Sequence, residues 1–515
     1  MNTSFNRYSV YLIIIFLKCL CSCSGTENDI VGNQKDLSKI VLVDGNLQSD
    51  MVIQQRSTFK ISGKGTPNQN ILVHCSWEIE TYNDTTTVLT DGTWTQIITI
   101  PNGSYTNRTI TVKGKNTELT FSNILIGEVW LCAGQSNMWF PVKNLENAND
   151  VKVDAENYSN IRLLQIKQVQ SDYQKEEIPG KWQICSASNI EWFSAVGYFF
   201  SVKLLTELNV PIGIINASWG DTTAEVWVDR ACVLANPLIA ERALRNDGIP
   251  RYDASIAYKI GSAYNAMIYP LRNIPIAGII WYQGESNMDY VDYYPDLIFT
   301  LADNWRKLWN SSADEVPFYI SQICPYKRTF NFLTNYANPA LRFAQTEASE
   351  KIPNSGLICN DDIADINDVH PKNKQDVGIR FAYLALSEKY GLSEFRNKKS
   401  PILDKVTLEG NSILLDFKYA ENGLKTRDDK APTLFEITGA DKVFYPAIAT
   451  IINNNQVRIR SSSVPYPVAA RLGWSYIKTT NLISDFGLPV SVFKTYNWKD
   501  STEEFVTNYV HFFTK

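Results

Sequence analysis

Three regimes of hydrophobic patterning divide this chain. From about Ile40 to Ser122 apolar residues come in short, β-branched runs: Val41-Leu42-Val43, Met51-Val52-Ile53, Thr58-Phe59-Lys60-Ile61, Ile71-Leu72-Val73-His74, Thr95–Ile100 and Thr109-Ile110-Thr111-Val112. Gly63-Lys64-Gly65, Asp91-Gly92 and Asn102-Gly103 supply turns between them. Such runs bounded by turn residues predict strands, and their close spacing predicts a small all-β sandwich over residues 40–123. From Ile124 to Ser400 the runs become continuously apolar, at Ile124–Ala133, Ile161–Ile166, Ile212–Asn216, Ala277–Tyr282, Phe318–Gln322 and Gly356–Cys359. They alternate with helical stretches at Ala195–Leu208, Tyr293–Trp309 and Lys374–Tyr390. Strands that are apolar on both faces are covered on both faces, so the alternation predicts an α/β fold with a doubly wound parallel sheet over 124–400. After Pro401 half-buried strands return, at Val406-Thr407-Leu408, Ser412–Phe417, Leu434–Ile437 and Gln456–Arg460, predicting a β-rich region over 401–515.

The first residues follow another pattern. Arg7 precedes a short apolar stretch, Tyr8–Leu17, too short to span a bilayer and suited to a signal peptide. Leu20-Cys21-Ser22-Cys23 resembles a bacterial lipobox with Cys23 as the lipid-bearing residue; Cys21 is a competing site, and a plain secretory signal is the alternative. The expectation is a signal peptide over 1–22, a tether over 23–39, and an exported bacterial protein, periplasmic or anchored by lipid to the outer membrane. Six cysteines follow, none in a Cys-x-x-Cys pair, so neither a zinc site nor a redox site is expected, nor any other cofactor. Cys132 reads as a buried free thiol.

Composition narrows the classes. A hydrophobic fraction of 44% with 20% charged residues describes a folded chain, and a net charge of −5 without a basic patch excludes nucleic acid as a partner. The 26 Tyr, 23 Phe and 13 Trp suit a saccharide-handling surface, but aromatic residues dominate core energetics in any case, so cores come first.

The chemistry centres on Gly134-Gln135-Ser136-Asn137-Met138, directly after the run Ile124–Ala133. A serine just past the carboxyl end of a buried strand stands where open α/β sheets bind ligands, although Gly, Ser and Asn also make ordinary turns. A serine hydroxyl needs a base to take its proton and donors to hold the oxyanion that forms. Histidine is the usual base, and the chain has three: His74 in the N-terminal β region, His511 in the terminal tail, and His370 in an acid-rich loop, Asp361–Pro371, before a helix. A loop leading into the last helix of an α/β domain can bring His370 over the sheet edge, although on composition alone a surface-loop histidine is the plainer reading.

Four ordered blocks carry a resemblance. Gly127–Met138 resembles the nucleophile block of the sialate O-acetylesterase family, which belongs to the SGNH-type hydrolases. Asn216–Thr222 resembles its glycine block, Trp281-Tyr282-Gln283-Gly284-Glu285 its third block, and Asp368-Val369-His370-Pro371-Lys372-Asn373-Lys374 its histidine block. Ser49–Gln54 and Gly487-Leu488-Pro489 extend the likeness over most of 40–495. The resemblance implies an SGNH-hydrolase-like, flavodoxin-like parallel-sheet domain flanked by β-rich regions. It implies Ser136 as nucleophile and His370 as base, with the backbone N–H groups of Ser136 and Gly220 and the side-chain amide of Gln283 as the oxyanion hole. The third triad member is open at this point. Asn367 stands three residues before His370, where the common pattern has Asp, and Asp368 is the nearest acid; Asp365 or a Ser-His dyad are the alternatives. Glu285 either lines the substrate pocket or fixes the turn after its strand. The implied activity is metal-independent hydrolysis of acetyl esters on sialic acid, or on acetylated xylan or another plant glycan. A surface lipoprotein that binds glycans without turning them over is the alternative of another class.

Overall fold

A computed structural model describes residues 41–78, 84–249, 255–327 and 337–498 of the chain. The signal segment, the tether, Cys23 and His511 lie outside the described residues.

One strand organises the molecule. Strand β1 (Glu118–Gly134) alternates between exposed and half-buried residues as far as Asn123 and is buried at every position from Ile124 onward. Its first half belongs to the N-terminal β region, pairing antiparallel with Ser104–Lys113 and parallel with Val52–Gln54, the latter up to Gln54 opposite Gly127. From Glu128 it enters a second environment, between two parallel neighbours. The boundary expected at 123/124 therefore lies inside a single strand, and one hydrophobic core runs from Phe59, Ile61 and Trp94 through Trp130 to Trp281 and Trp305.

The strands of the α/β part are β2 (Ile161–Gln165), β3 (Trp182–Ile184), β4 (Ile212–Ser218), β5 (Gly278–Tyr282), β6 (Phe318–Ser321) and β7 (Ser355–Ile358). With the second half of β1 they stand in the order β3-β2-β4-β1-β5-β6-β7. All neighbours are parallel except the edge pair β3–β2, so the sheet is mixed, with one antiparallel edge strand that the apolar pattern alone does not reveal. In chain order β1, β4, β5, β6 and β7 form the 2-1-3-4-5 arrangement of the flavodoxin-like doubly wound fold.

The side-chain period of two assigns the faces. Gly278 lies opposite Trp130, so Trp130 and Trp281 point to opposite sides of the sheet. Trp130 meets Phe200 of α2 (Ala195–Leu208), and Trp281 meets Trp305 of α3 (Tyr294–Leu308), each ring pair edge to face. Helix α5 (Lys374–Glu388) packs on α2, and α4 (Ala337–Lys351) packs on α3. The sheet is thus covered on both faces, as its apolar runs require. The helical pattern locates α2, α3 and α5 to within two residues of their ends. It misses α4, in which polar and small residues interrupt the apolar period.

The C-terminal region has its own core, built on Ile413, Leu415, Phe417, Ile437, Val457, Ile459 and Phe493 from two four-stranded sheets. It meets the α/β part through buried polar contacts: Gln322 Nε2 donates to Ser491 Oγ at 3.2 Å, and the Ser491 and Thr346 hydroxyls stand 2.9 Å apart.

Candidate active site

Strand β1 lies between β4 and β5, and the chain crosses from one side of β1 to the other in passing from β4 to β5. That is the switch point of a doubly wound sheet, where the carboxyl ends of the strands open a crevice. Gly134 ends β1 with φ +138°, and a Cβ there would stand 2.1 Å from the Tyr282 carbonyl oxygen of β5. Only glycine permits both the conformation and the approach. The chain then turns sharply. Gln135 N–H donates to the Tyr282 carbonyl at 3.0 Å, and the Gln135 side-chain oxygen accepts from Gly284 N–H at 3.2 Å. Ser136 follows, half-buried between the buried Gln135 and Asn137, at the start of the single-turn helix α1 (Ser136–Trp139).

Gly220 faces it from the end of β4. Trp219 N–H donates to the Gly134 carbonyl at 3.0 Å, and a Cβ placed on Gly220 would lie 3.5 Å from Ser136 Cβ. Among the described residues, neither the Ser136 nor the Gly220 N–H donates to another group.

Gln283 departs from expectation. Its side chain is buried, and both amide hydrogens are engaged within the protein, by the Thr222 carbonyl at 3.2 Å and by Asn287 Oδ1 at 2.6 Å. Its Oε1 accepts from Tyr294 Oη at 3.1 Å. Asn287 Oδ1 in turn accepts from Ala224 N–H, and its Nδ2 donates to Glu225. An amide committed in this way has no hydrogen left for an oxyanion. Gln283 instead fastens the loop that carries Gly220 and Thr222 to the end of β5.

The histidine arrives from the other side, on the loop after β7. Asp368 Oδ1 accepts the backbone N–H of His370 at 2.8 Å, its Oδ2 pairs with Lys372 at 3.1 Å, and Oδ1 stands 3.6 Å from His370 Nδ1. That last separation is an ion-pair distance rather than a hydrogen bond. Partial burial works to raise the Asp368 pKa, yet the His370 N–H and the Lys372 ammonium hold it below the ordinary carboxylate value. Asp365 is turned to its own loop, accepting from Asn367 N–H at 2.9 Å. The imidazole is half-buried with its ring centroid 6.3 Å from that of Phe140. Burial lowers its pKa from the ordinary 6.5, the Lys374 ammonium lowers it further, and Asp368 works against both. The ring is therefore neutral near pH 7, the form that accepts a proton.

Two residues quoted within these motifs acquire roles only here. Asn137 Nδ2 donates to Glu285 Oε1 at 2.6 Å and to the Val369 carbonyl at 3.0 Å, while Asn137 Oδ1 accepts from Lys374 Nζ. Lys374 is fully buried at the first position of α5. A cation at a helix N-terminus is electrostatically unfavourable, so its position was a signal in the sequence that this lysine has another partner. Glu285 is buried and fixes the turn through Asn137. His74 lies on the strand Asn70–Cys75 of the N-terminal region, and Cys132 is a buried free thiol whose pKa burial raises.

A mixed α/β sheet in this order, with a serine at the carboxyl end of its central strand and a histidine loop beside it, defines an SGNH-type esterase fold. The chain belongs to the carbohydrate esterase family of sialic acid-specific acetylesterases, whose profile matches residues 126–387. It is 28% identical over 441 residues to the sialate O-acetylesterase of Mus musculus, covering 75% of this chain and 80% of that one. The sialate O-acetylesterase of Homo sapiens is 27% identical over 429 residues, covering 76% and 79%. A carbohydrate acetylesterase from Xanthomonas citri superposes with a TM-score of 0.80 at 29% identity, covering 89% of this chain and all of that one.

Proposed function

We propose that this protein removes O-acetyl groups from sialic acid by an acetyl-enzyme route. Ser136 Oγ attacks the acetyl carbonyl as His370 takes its proton. The backbone N–H groups of Ser136 and Gly220 receive the oxyanion. The C–O bond to the sugar breaks, and His370 returns the proton to the sugar oxygen. Water, deprotonated by His370, then attacks the acetyl carbon and releases acetate and Ser136. Asp368 holds the histidine loop and favours the imidazolium electrostatically.

The observation that carries this reading is the pinning of the His370 loop to the residue after Ser136, through the bond from Asn137 to Val369. The sialate preference rests on the mouse and human relatives. A second substrate reading, acetylated xylan or another glycan, is favoured by the Xanthomonas citri match, named for carbohydrate acetyl esters in general. Acetate release from wild type and Ser136→Ala, side by side on O-acetylated sialic acid and acetylated xylan, separates these. Serine-dependent release mainly from sialic acid supports the sialate reading, and release mainly from xylan replaces it. Serine-independent release overturns the mechanism. No release from either, with no labelling by a serine-reactive fluorophosphonate, overturns the esterase reading and favours a protein that binds glycans without turning them over. Export with a lipid on Cys23 is proposed from the sequence pattern alone, and an unmodified mature N-terminus in mass analysis would refute it.

A further inference from the structure

We infer that Lys374 is a positioning residue for the esterase reaction: its ammonium fixes the side-chain amide of Asn137 and lies against the Phe140 ring that also neighbours His370, so that its charge acts on the base. The inference rests on the reading of Ser136 and His370 as nucleophile and base.

The geometry leaves the amide of Asn137 a single orientation. Lys374 Nζ only donates, while the Val369 carbonyl and Glu285 Oε1 only accept here. The oxygen of Asn137 must therefore face Lys374, and its two N–H groups must face Glu285 and Val369. With the amide turned over, two acceptors would meet an oxygen in a buried site. Lys374 thus fixes the one arrangement in which the residue following Ser136 grips the residue preceding His370.

The position of Lys374 is costly for stability alone. It is fully buried, and it opens a helix, where the backbone N–H groups already present positive charge. Burial depresses its pKa to about 8, against the attraction of Glu285 and Asp368. Below that pH it is charged, with its ammonium 4.9 Å from the centre of the Phe140 ring, the same ring that neighbours His370. The charged groups acting on His370 are Asp368 and Lys372 from its own loop, Asp221 from the loop after β4, and Lys374 from α5. Asp368 and Asp221 favour the imidazolium, and the two lysines oppose it. Lys374 is the buried member of that set, where charge is least screened.

The test is a pH profile of kcat/KM for wild type, Lys374→Gln, Lys374→Met and Lys374→Arg. The chain holds three histidines, so an NMR titration of the His370 ring signal, assigned by its loss in a His370→Ala variant, runs alongside. Lys374→Gln keeps a donor for Asn137 and removes the charge. Its acid limb and its His370 pKa are expected to rise by about half a pH unit or more, with KM within about twofold of wild type. Lys374→Arg is expected to keep the wild-type limb. Lys374→Met removes bond and charge together and is expected to lose a further ~10-fold in kcat; should it fail to fold, the Gln variant carries the test. An unmoved limb and an unmoved His370 titration in Lys374→Gln overturn the inference. The same profiles on Ser136→Ala separate the two claims: serine-independent activity defeats the mechanism, whereas serine-dependent activity with unmoved limbs defeats the role of Lys374 alone.

Discussion

Asn137 Nδ2 donates to the carbonyl of Val369 at 3.0 Å, joining the residue after Ser136 to the residue before His370 across 232 positions of sequence. Two segments from different strand ends are tied together by this bond, which restrains the His370 loop relative to the Ser136 turn. Such preorganisation is where much of the rate enhancement of an acyl-transfer enzyme resides.

Asn137→Ala removes three hydrogen bonds at once and leaves Glu285, Lys374 and the Val369 carbonyl without the amide that joins them. Each buried group that loses its partner costs about 1–3 kcal/mol, more where it is charged. The expected outcome is a lower melting temperature and a ~100-fold fall in kcat with a smaller change in KM. Melting curves and kinetics on a simple acetyl ester check it. Full activity in Asn137→Ala would show that the bond between the loops is dispensable.

Asp368 should behave unlike the acid of a complete triad. Its carboxylate is 3.6 Å from His370 Nδ1, and the same oxygen accepts the His370 backbone N–H. Its effect on the imidazole is mainly electrostatic and raises the pKa of His370. In Asp368→Asn that support is lost, the pKa falls further, and the acid limb of the rate profile moves to lower pH. The sign is opposite to that expected for Lys374→Gln. The fall in kcat is expected near ~10-fold rather than the ~10,000-fold seen where a triad carboxylate fixes the tautomer. A loss of the larger size would require a direct Asp368–His370 bond during turnover.

Legibility in the sequence followed the physics of each feature. The central strands were readable because burial on both faces makes them continuously apolar, and Ser136 because a glycine breaks such a run at the sheet's ligand-binding edge. The short strand Trp182–Ile184 was not, since an edge strand of three residues carries little periodicity. The likeness of four blocks pointed to residues 136, 220, 283 and 370, yet roles inside the blocks depended on hydrogen bonds that spacing does not contain. Gln283 and Glu285 lie two residues apart, and one secures the Gly220 loop while the other secures the Ser136–His370 junction.

Gly220 and Gly134 offer a paired test. The φ of Gly220 is not in the left-handed region, and a Cβ there meets Ser136 Cβ at 3.5 Å, an ordinary contact. Gly220→Ala should therefore melt like wild type. On the proposed mechanism its methyl group would occupy the space an acetyl group needs beside Ser136, with kcat/KM expected to fall ~10- to 100-fold. Gly134→Ala forces a side chain to φ +138° and into the Tyr282 carbonyl, so its defect should appear first as poor folding. Calorimetry with acetyl-ester kinetics distinguishes the two, and a destabilised Gly220→Ala would place its glycine in the fold rather than in the reaction.

Gln283→Leu separates a donor to the oxyanion from a brace. As a brace, Gln283 ties Thr222 to the end of β5 and receives Tyr294 Oη. Leucine of similar volume would leave the Thr222 carbonyl unpaired, at a cost of about 1–3 kcal/mol. The Gly220 loop then loosens. The expected result is a clear drop in melting temperature with a ~10-fold fall in kcat. An oxyanion donor behaves otherwise: its removal lowers kcat by ~100- to 1,000-fold through the transition state alone. A large kinetic loss with an unchanged melt would mean that Gln283 releases Thr222 or Asn287 when substrate binds and turns its amide to the reacting carbonyl. A melt and kcat that fall together, with activity partly restored at lower temperature where the loop is held more firmly, would establish the bracing role.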